Sequence, residues 1–231
     1  MSARSYKVSH GVVAPLSKAI WRPTITGREN VPPTGGVLIA SNHLSFIDSF
    51  AIPLAAPRQV HYLAKDDYFT GTGVRGFISR ELFEGLGAIP VDRHSSRAAQ
   101  ESLDAALKVL GEGEAFGIYP EGTRSRDGRL YRGRTGVGFL ALTAKVPVVP
   151  VALSGTQDIQ PDDARFPRLA KVSVTFGTPL EFTERYAGVP QGRARRGVTD
   201  EIMDAIAALS GQERADGYNE IPSEPGPQLG T

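Results

Sequence analysis

Cysteine is absent from the 231 residues. That excludes disulfides, thiolate metal ligands and a covalent cysteine intermediate together, and it fits a cytosolic setting. The chain also lacks any run of about 18 apolar residues, the length an α-helix needs to cross a bilayer. Its first residues carry charges but no apolar segment with a cleavage site, so no secretory signal is expected. Excess charge of either sign is missing. The 26 Lys and Arg against 25 Asp and Glu leave +1, and bulk electrostatics give no reason to expect a nucleic-acid partner. Several catalytic signatures are missing as well. There is no Gly-x-Ser-x-Gly elbow, no Ser-x2-Lys and no Walker loop, so serine-nucleophile hydrolysis and P-loop chemistry have no seat. The histidines at 10, 43, 61 and 94 show no His-x3-His spacing, and no metal site is expected. His10, His61 and His94 read as surface or partly buried residues.

What is present gathers in one stretch, Ser41-Asn42-His43-Leu44-Ser45-Phe46-Ile47-Asp48. It follows Gly36-Val37-Leu38-Ile39-Ala40, a short apolar run bounded by Pro and Gly that reads as a buried strand. In open α/β sheets, active-site groups collect beyond the carboxyl ends of strands. Residues five apart face opposite sides of a strand and sit roughly 140° apart on a helix. His43 and Asp48 therefore meet only if the chain turns between them, with Asp48 in the first turn of the next helix. There Asp48 would accept from one ring nitrogen of His43 and leave the other free as a base. Ser45 to Asp48 is equally a capping-box pattern, in which Asp48 only completes a helix start.

The rest alternates strands and helices, which indicates a single α/β domain of the larger kind. Strands are expected at Thr24–Arg28, Val37–Ala40, Val60–Ala64, Ala88–Val91, Ala115–Tyr119, Val148–Leu153 and Val172–Phe176. Helices are expected at Ile47–Ala56, shortened or kinked by Pro53, and at Val74–Glu84. Another starts at Ser95 or Ser96 and closes at Gly111, and two more cover Thr135–Lys145 and Val198–Leu209. Gly71-Thr72-Gly73-Val74-Arg75-Gly76 matches a dinucleotide-binding pattern by letter, but no strand precedes it directly. Those glycines read as a loop. Residues 8–21 suggest a short helix with Trp21, Lys7, Lys18 and Arg22 near its ends, packed on the domain or lying in a membrane surface. Residues 1–23 are thus an N-terminal helical segment and 24–212 the main domain. Residues 213–231, ending in a Pro-, Gly- and Glu-rich stretch, are expected to be a disordered tail.

Four blocks occur in order: Asn42 to Asp48; Gly87-Ala88-Ile89-Pro90-Val91-Asp92-Arg93; Tyr119-Pro120-Glu121-Gly122-Thr123-Arg124-Ser125; and Val146-Pro147-Val148-Val149-Pro150-Val151. Over roughly residues 25–180 they resemble the glycerolipid acyltransferase family, whose best-known members are lysophosphatidic acid acyltransferases. The resemblance implies a glycerol-3-phosphate acyltransferase-like fold, a mixed sheet flanked by helices with an N-terminal helical element near the membrane. It implies no cofactor beyond an acyl-CoA or acyl-carrier thioester as co-substrate. The acceptor would be a phosphate-bearing lipid, and the protein would sit peripherally on the cytoplasmic face of the membrane. It also implies that His43 and Asp48 are catalytic and that Arg93, Glu121, Gly122, Thr123 and Arg124 bind the acceptor's glycerol phosphate.

The residues support the same chemistry independently. Acyl transfer to an alcohol needs a base for the hydroxyl, and a thioester carbonyl is reactive enough to need no protein nucleophile. Arginine's planar fork suits phosphate oxygens, and glycine lets backbone N–H groups approach them. Lys65, at the end of a neighbouring strand, is a further candidate on position alone, and Glu121 could instead hold Arg124. Five arginines between 124 and 134, opposed by Asp127 alone, read as a solvated face or as an attractor for an anionic headgroup. The acceptor is open between 1-acylglycerol-3-phosphate, glycerol-3-phosphate and a lysophospholipid. Two other functions stand beside transfer: lipid binding without turnover, and thioester hydrolysis with water as acceptor.

Overall fold

The computed structural model describes residue 11 and residues 14–91, 98–161 and 167–220. Helix α1 (Ala14–Trp21) precedes β1 (Thr24–Thr26), a 3₁₀ turn at Arg28–Asn30 and β2 (Val37–Ser41). Then follow α2 (Asp48–Ala55), β3 (Val60–Lys65), the one-turn α3 (Asp67–Thr70), α4 (Gly73–Gly85) and β4 (Ala88–Val91). The second half contains α5 (Ala98–Gly111), β5 (Ala115–Ile118), α6 (Gly136–Ala144) and β6 (Val148–Ser154). The short α7 (Thr156–Ile159), β7 (Ser173–Phe176) and the long α8 (Gln191–Ser210) complete it.

The seven strands form one sheet in the order β1-β7-β6-β2-β5-β3-β4. It is mixed: β6 and β7 pair antiparallel, while β2 to β6 run parallel to one another. All five residues of central β2 are buried, because helices cover both faces. Leu38 and Ala40 pack with Leu110, Leu140, Val198 and Ile202 on the α5–α6–α8 side. Val37 and Ile39 pack with Ile52 and Ala55 of α2 on the other. Parallel pairing puts the carboxyl ends of β2, β3, β4, β5 and β6 at one end of the sheet. The histidine loop, the Tyr119–Arg134 loop and α7 all leave from that end.

Departures from the expected elements have local causes. β1 stops at Thr26 because Gly27, at φ +71°, swings the chain into the 3₁₀ turn against the carbonyl of Phe176. Pro53 lies inside α2 without ending it; it withholds only the N–H that would reach Ser49. Pro15 falls in the first turn of α1, where its missing N–H leaves no bond unmade. The glycine pattern is a turn between α3 and α4: Gly73 is at φ +68°, and a Cβ on Gly76 would sit 1.9 Å from the carbonyl oxygen of Gly71. α8 begins at Gln191, seven residues before the expected Val198, because its Gly- and Arg-rich first turns offer little but Ala194 to bury. The tail expected to be disordered from 213 is instead engaged as far as 220. Leu130 N–H donates to the carbonyl of Glu213 at 2.8 Å, Ala215 N–H to that of Leu130 at 3.0 Å, and Arg132 N–H to that of Gly217 at 2.9 Å.

Candidate active site

The chain leaves β2 through Asn42, which is fully buried. Its side chain accepts from Leu153 N–H at 2.8 Å and donates to the Leu153 carbonyl at 2.9 Å, fixing the exit of β2 onto β6. A turn follows, and His43 Nδ1 lies 2.9 Å from Asp48 Oδ2. The same oxygen accepts from the N–H groups of Leu44 at 2.6 Å and Ser45 at 2.8 Å. Asp48 thereby does what the capping pattern asks, reaching back to the Ser45 N–H, while orienting the imidazole. A carboxylate oxygen that already accepts two backbone N–H groups accepts here too, so His43 Nδ1 carries the hydrogen and Nε2 is left as the ring's free acceptor. Asp48 is fully buried and the His43 side chain is 16% exposed, so the imidazole, not its anchor, reaches the surface. The Tyr119 ring stacks on the imidazole, centroids 3.9 Å apart and planes 10° from parallel. Burial, with the charge of Asp48 adding to it, pushes the Tyr119 hydroxyl well above its ordinary pKa, and Ser49 hydrogen-bonds it.

The loop after β5 is bonded onto this turn. Ser125 N–H donates to the His43 carbonyl at 2.7 Å. Glu121 is fully buried; one oxygen accepts from His43 N–H at 3.1 Å and the other from Tyr131 N–H at 2.9 Å. Burial raises its pKa to about 7, outweighing the two N–H donors. Glu121 and Gly122 both take structural parts in this loop. Glu121 points into the protein, its two oxygens taken by backbone N–H groups, and braces the histidine loop. Gly122 is a turn residue at φ +82°, its N–H spent on the Tyr119 carbonyl at 3.0 Å, with the Arg134 side chain lying over its α-carbon.

Arg124 and Thr123 are half-buried in the same loop, and Arg124 lines a polar groove with Leu44, Ser45, Ser125, Arg126, Gly128 and the α7 residues Gln157 and Asp158. Lys65 ends β3, two strands from β2 in the sheet order, a lateral separation of about 10 Å; it does not line this groove. Arg93 lies outside the described residues, two positions beyond the end of β4. His61 is partly buried in β3, its pKa lowered by burial. A second groove, with a volume of ≈ 270 Å³ and apolar walls, runs between α1, β1, β7 and α2; Trp21, Ile25, Phe46, Ile47, Phe50 and Leu54 are among its lining residues. The histidine loop divides between the two grooves, Leu44 and Ser45 facing the polar one and Phe46 and Ile47 the apolar one.

Three groups at the site escaped sequence reasoning as functional residues. Tyr119 stood in a motif but carried no assigned role. Gln212 and Asn219 belong to no motif and follow the last helix; they bond the loops of the site at distances given below. No spacing or periodicity signal reaches them.

Residues 22–154, more than half the chain, match the Acyltransferase family model. The protein belongs to the acyltransferase family. This acyltransferase is 29% identical over 187 residues to the 1-acyl-sn-glycerol-3-phosphate acyltransferase of Bacillus subtilis, covering 80% of this chain and 86% of that one. It is 34% identical over 136 residues to the protein of that name from Borreliella burgdorferi, covering 58% of this chain and 52% of that one. Against the chloroplastic 1-acyl-sn-glycerol-3-phosphate acyltransferase of Brassica napus it is 30% identical over 142 residues, 61% of this chain and 40% of the relative. The chain thus spans most of the Bacillus protein and about half or less of the other two. In fold it matches the crystal structure of the 1-acyl-sn-glycerophosphate acyltransferase of Thermotoga maritima, with a TM-score of 0.62, 21% identity and coverage of 89% and 85% of the two chains.

Proposed function

We propose that this acyltransferase moves a fatty acyl group from an acyl-CoA or acyl-carrier thioester to the free hydroxyl of 1-acylglycerol-3-phosphate, making phosphatidic acid. The observation that carries the reading is the division of the histidine loop between an apolar and a basic polar groove. An acyl chain suits the first. The acceptor's phosphate suits the second, held by Arg124 with Thr123 beside it in the same loop; Arg93 and Lys65 stay candidates on their sequence positions alone. His43 Nε2 takes the hydroxyl proton as the acceptor oxygen attacks the thioester carbon. The C–O bond forms, the C–S bond breaks, and the imidazolium returns the proton to the leaving thiolate. Asp48 holds the Nδ1–H tautomer and stabilises the imidazolium. The names of the relatives support the acceptor assignment. Glycerol-3-phosphate or a lysophospholipid would present the same hydroxyl near a phosphate.

The enzyme works, in this reading, peripherally on the cytoplasmic face of a membrane. Among the described residues no helix is long and apolar enough to cross one. Exposed apolar side chains instead form two ridges, Leu16 and Ile20 on α1 and Val74, Phe77 and Ile78 on α4. Phe46 and Phe50 lie between them, lining the apolar groove shared with α1 and packing on Phe83 of α4. The test is thiol release from palmitoyl-CoA, or from palmitoyl-carrier protein, without acceptor and with 1-acylglycerol-3-phosphate, glycerol-3-phosphate or a lysophospholipid. Release that needs 1-acylglycerol-3-phosphate and vanishes in His43→Ala is expected. Release without any acceptor would assign thioester hydrolysis instead, and binding without release a lipid-binding protein.

A further inference from the structure

The family match ends at residue 154, yet the chain beyond α8 returns to the site. Gln212 bridges its two loops: its side-chain oxygen accepts from Asn42 Nδ2 at 2.8 Å, and its Nε2 donates to the Gly128 carbonyl at 2.7 Å. Asn42 precedes the candidate base, and Gly128 lies in the wall of the polar groove opposite Leu44 and Ser45. From there the backbone of 213–217 pairs with Leu130 and Arg132, as described above. The segment ends at Asn219, whose Nδ2 donates to the Arg124 carbonyl at 3.0 Å.

The same segment sorts the arginines. The guanidinium groups of Arg132 and Arg134 lie 5.3 and 5.6 Å from the Tyr218 ring centroid, and Arg134 Nη2 donates to the Asn219 carbonyl at 3.3 Å. Arg129 is bonded to Asp127 at 2.7 Å. Of the five arginines between 124 and 134, Arg124 and Arg126 line the polar groove. The loop from 121 to 135 has no helix or strand; bonds within it, such as Ser125 Oγ to the Arg129 carbonyl at 2.7 Å, share the work of fixing it with the bonds from 212–219.

We infer that residues 212–220 are a working part of the acceptor site, with Gln212 and Asn219 as positioning residues that set the pose of the Arg124 loop for an anionic phosphate headgroup. The inference rests on the reading of Arg124 as a phosphate ligand, and it goes beyond it by giving acceptor selectivity to a segment outside the matched domain. Neither residue touches the reacting atoms. Asn219 bonds the Arg124 backbone directly, so its effect falls on acceptor binding and leaves the thioester side alone, while Gln212 ties Gly128 of the same loop to Asn42.

The experiment uses the full chain with Asn219→Ala, Gln212→Ala, Arg124→Ala and the double variant Asn219→Ala/Arg124→Ala. Thiol release gives KM for each substrate, and calorimetric titration with glycerol-3-phosphate gives headgroup affinity without turnover. Loss of one net hydrogen bond corresponds to about 3- to 10-fold, so each single positioning variant is expected to raise acceptor KM and glycerol-3-phosphate Kd by that factor. Palmitoyl-CoA KM and Tm should hold in Asn219→Ala, whereas Gln212→Ala, which deprives the buried Asn42 amide of a partner, should also lower Tm. In the Arg124→Ala background the Asn219 effect should disappear, the non-additivity of residues acting through one another. Unchanged acceptor binding, equal rises for both substrates, or additive effects in the double variant would each overturn the inference. If wild type releases no thiol with any acceptor, the acyl-transfer reading fails. Headgroup titration still decides this inference then: Kd raised in the single variants supports it, and Kd unchanged, or no binding by wild type, refutes it.

Discussion

At the scale of single residues, the site turns on one carboxylate oxygen. Asp48 Oδ2 takes three N–H bonds, while Oδ1 is buried with no partner among the described residues. An asparagine carbonyl placed there would keep all three bonds, so Asp48→Asn removes the charge without freeing the ring. Its kcat should fall about 10²-fold, while His43→Ala loses about 10²–10⁴; steady-state rates at saturating substrates read both. Glu121 gives a pH dependence whose sign follows from its raised pKa. The folded chain binds this proton more tightly than the unfolded chain does. The stability so contributed is complete below about pH 4.5 and is lost as pH rises through about 7, on the order of 3 kcal/mol in all. Tm measured from pH 5 to 8 should fall on this account. Glu121→Gln should flatten that trend and cost about 1–3 kcal/mol, because an amide NH₂ then faces one of the two N–H donors. The pairing of His43 with Asp48 was legible because a five-residue spacing after a strand leaves few geometries. The inward turn of Glu121 was not: a carboxylate beside an arginine looks like its partner, and only the fold reveals two unpaired backbone N–H groups in reach.

At the scale of elements, the expected strands and most helices stand where apolar runs and their punctuation put them. The helices missed or misjudged are those with little apolar periodicity, the one-turn α3 and α7 and the first two turns of α8. Those turns of α8 are held by close packing that single glycines permit. A Cβ on Gly138 of α6 would lie 2.3 Å from the carbonyl oxygen of Arg195, so the two helices approach at a point that tolerates no side chain. Gly138→Ala should cost about 1–3 kcal/mol despite its better helix propensity. Denaturant unfolding would show this as a lower midpoint with an unchanged m-value. The C-terminal pairing with Leu130 was illegible for a related reason. Its bonds are backbone to backbone across a loop, and a composition rich in Pro, Gly and Glu predicts no such partner.

At the scale of the whole molecule, α1 beside the apolar groove and α4, packed on Phe46 and Phe50 through Phe83, both carry exposed apolar residues, and lipid contact should use both. Phe77→Asp/Ile78→Asp, far from His43 in sequence and exposed, should weaken sedimentation with anionic liposomes by at least several-fold, since two large apolar contacts of roughly 1.5–3 kcal/mol each are lost. Activity on detergent-dispersed, short-chain acceptor should change little. The central position of β2 has a separate consequence for how the molecule comes into being. β2 pairs with residues 115–118 and 148–151, and Asn42 reaches Leu153 and Gln212, so the loop carrying the base closes through contacts of very long sequence separation. Such closures are late and slow. A nascent chain that has passed Leu153 but not reached Gln212 would already contain every motif and the Asn42–Leu153 bonds, and yet lack the bond from Gln212 that ties Asn42 to the Gly128 loop. Competence should therefore appear in one step as the chain lengthens past that point.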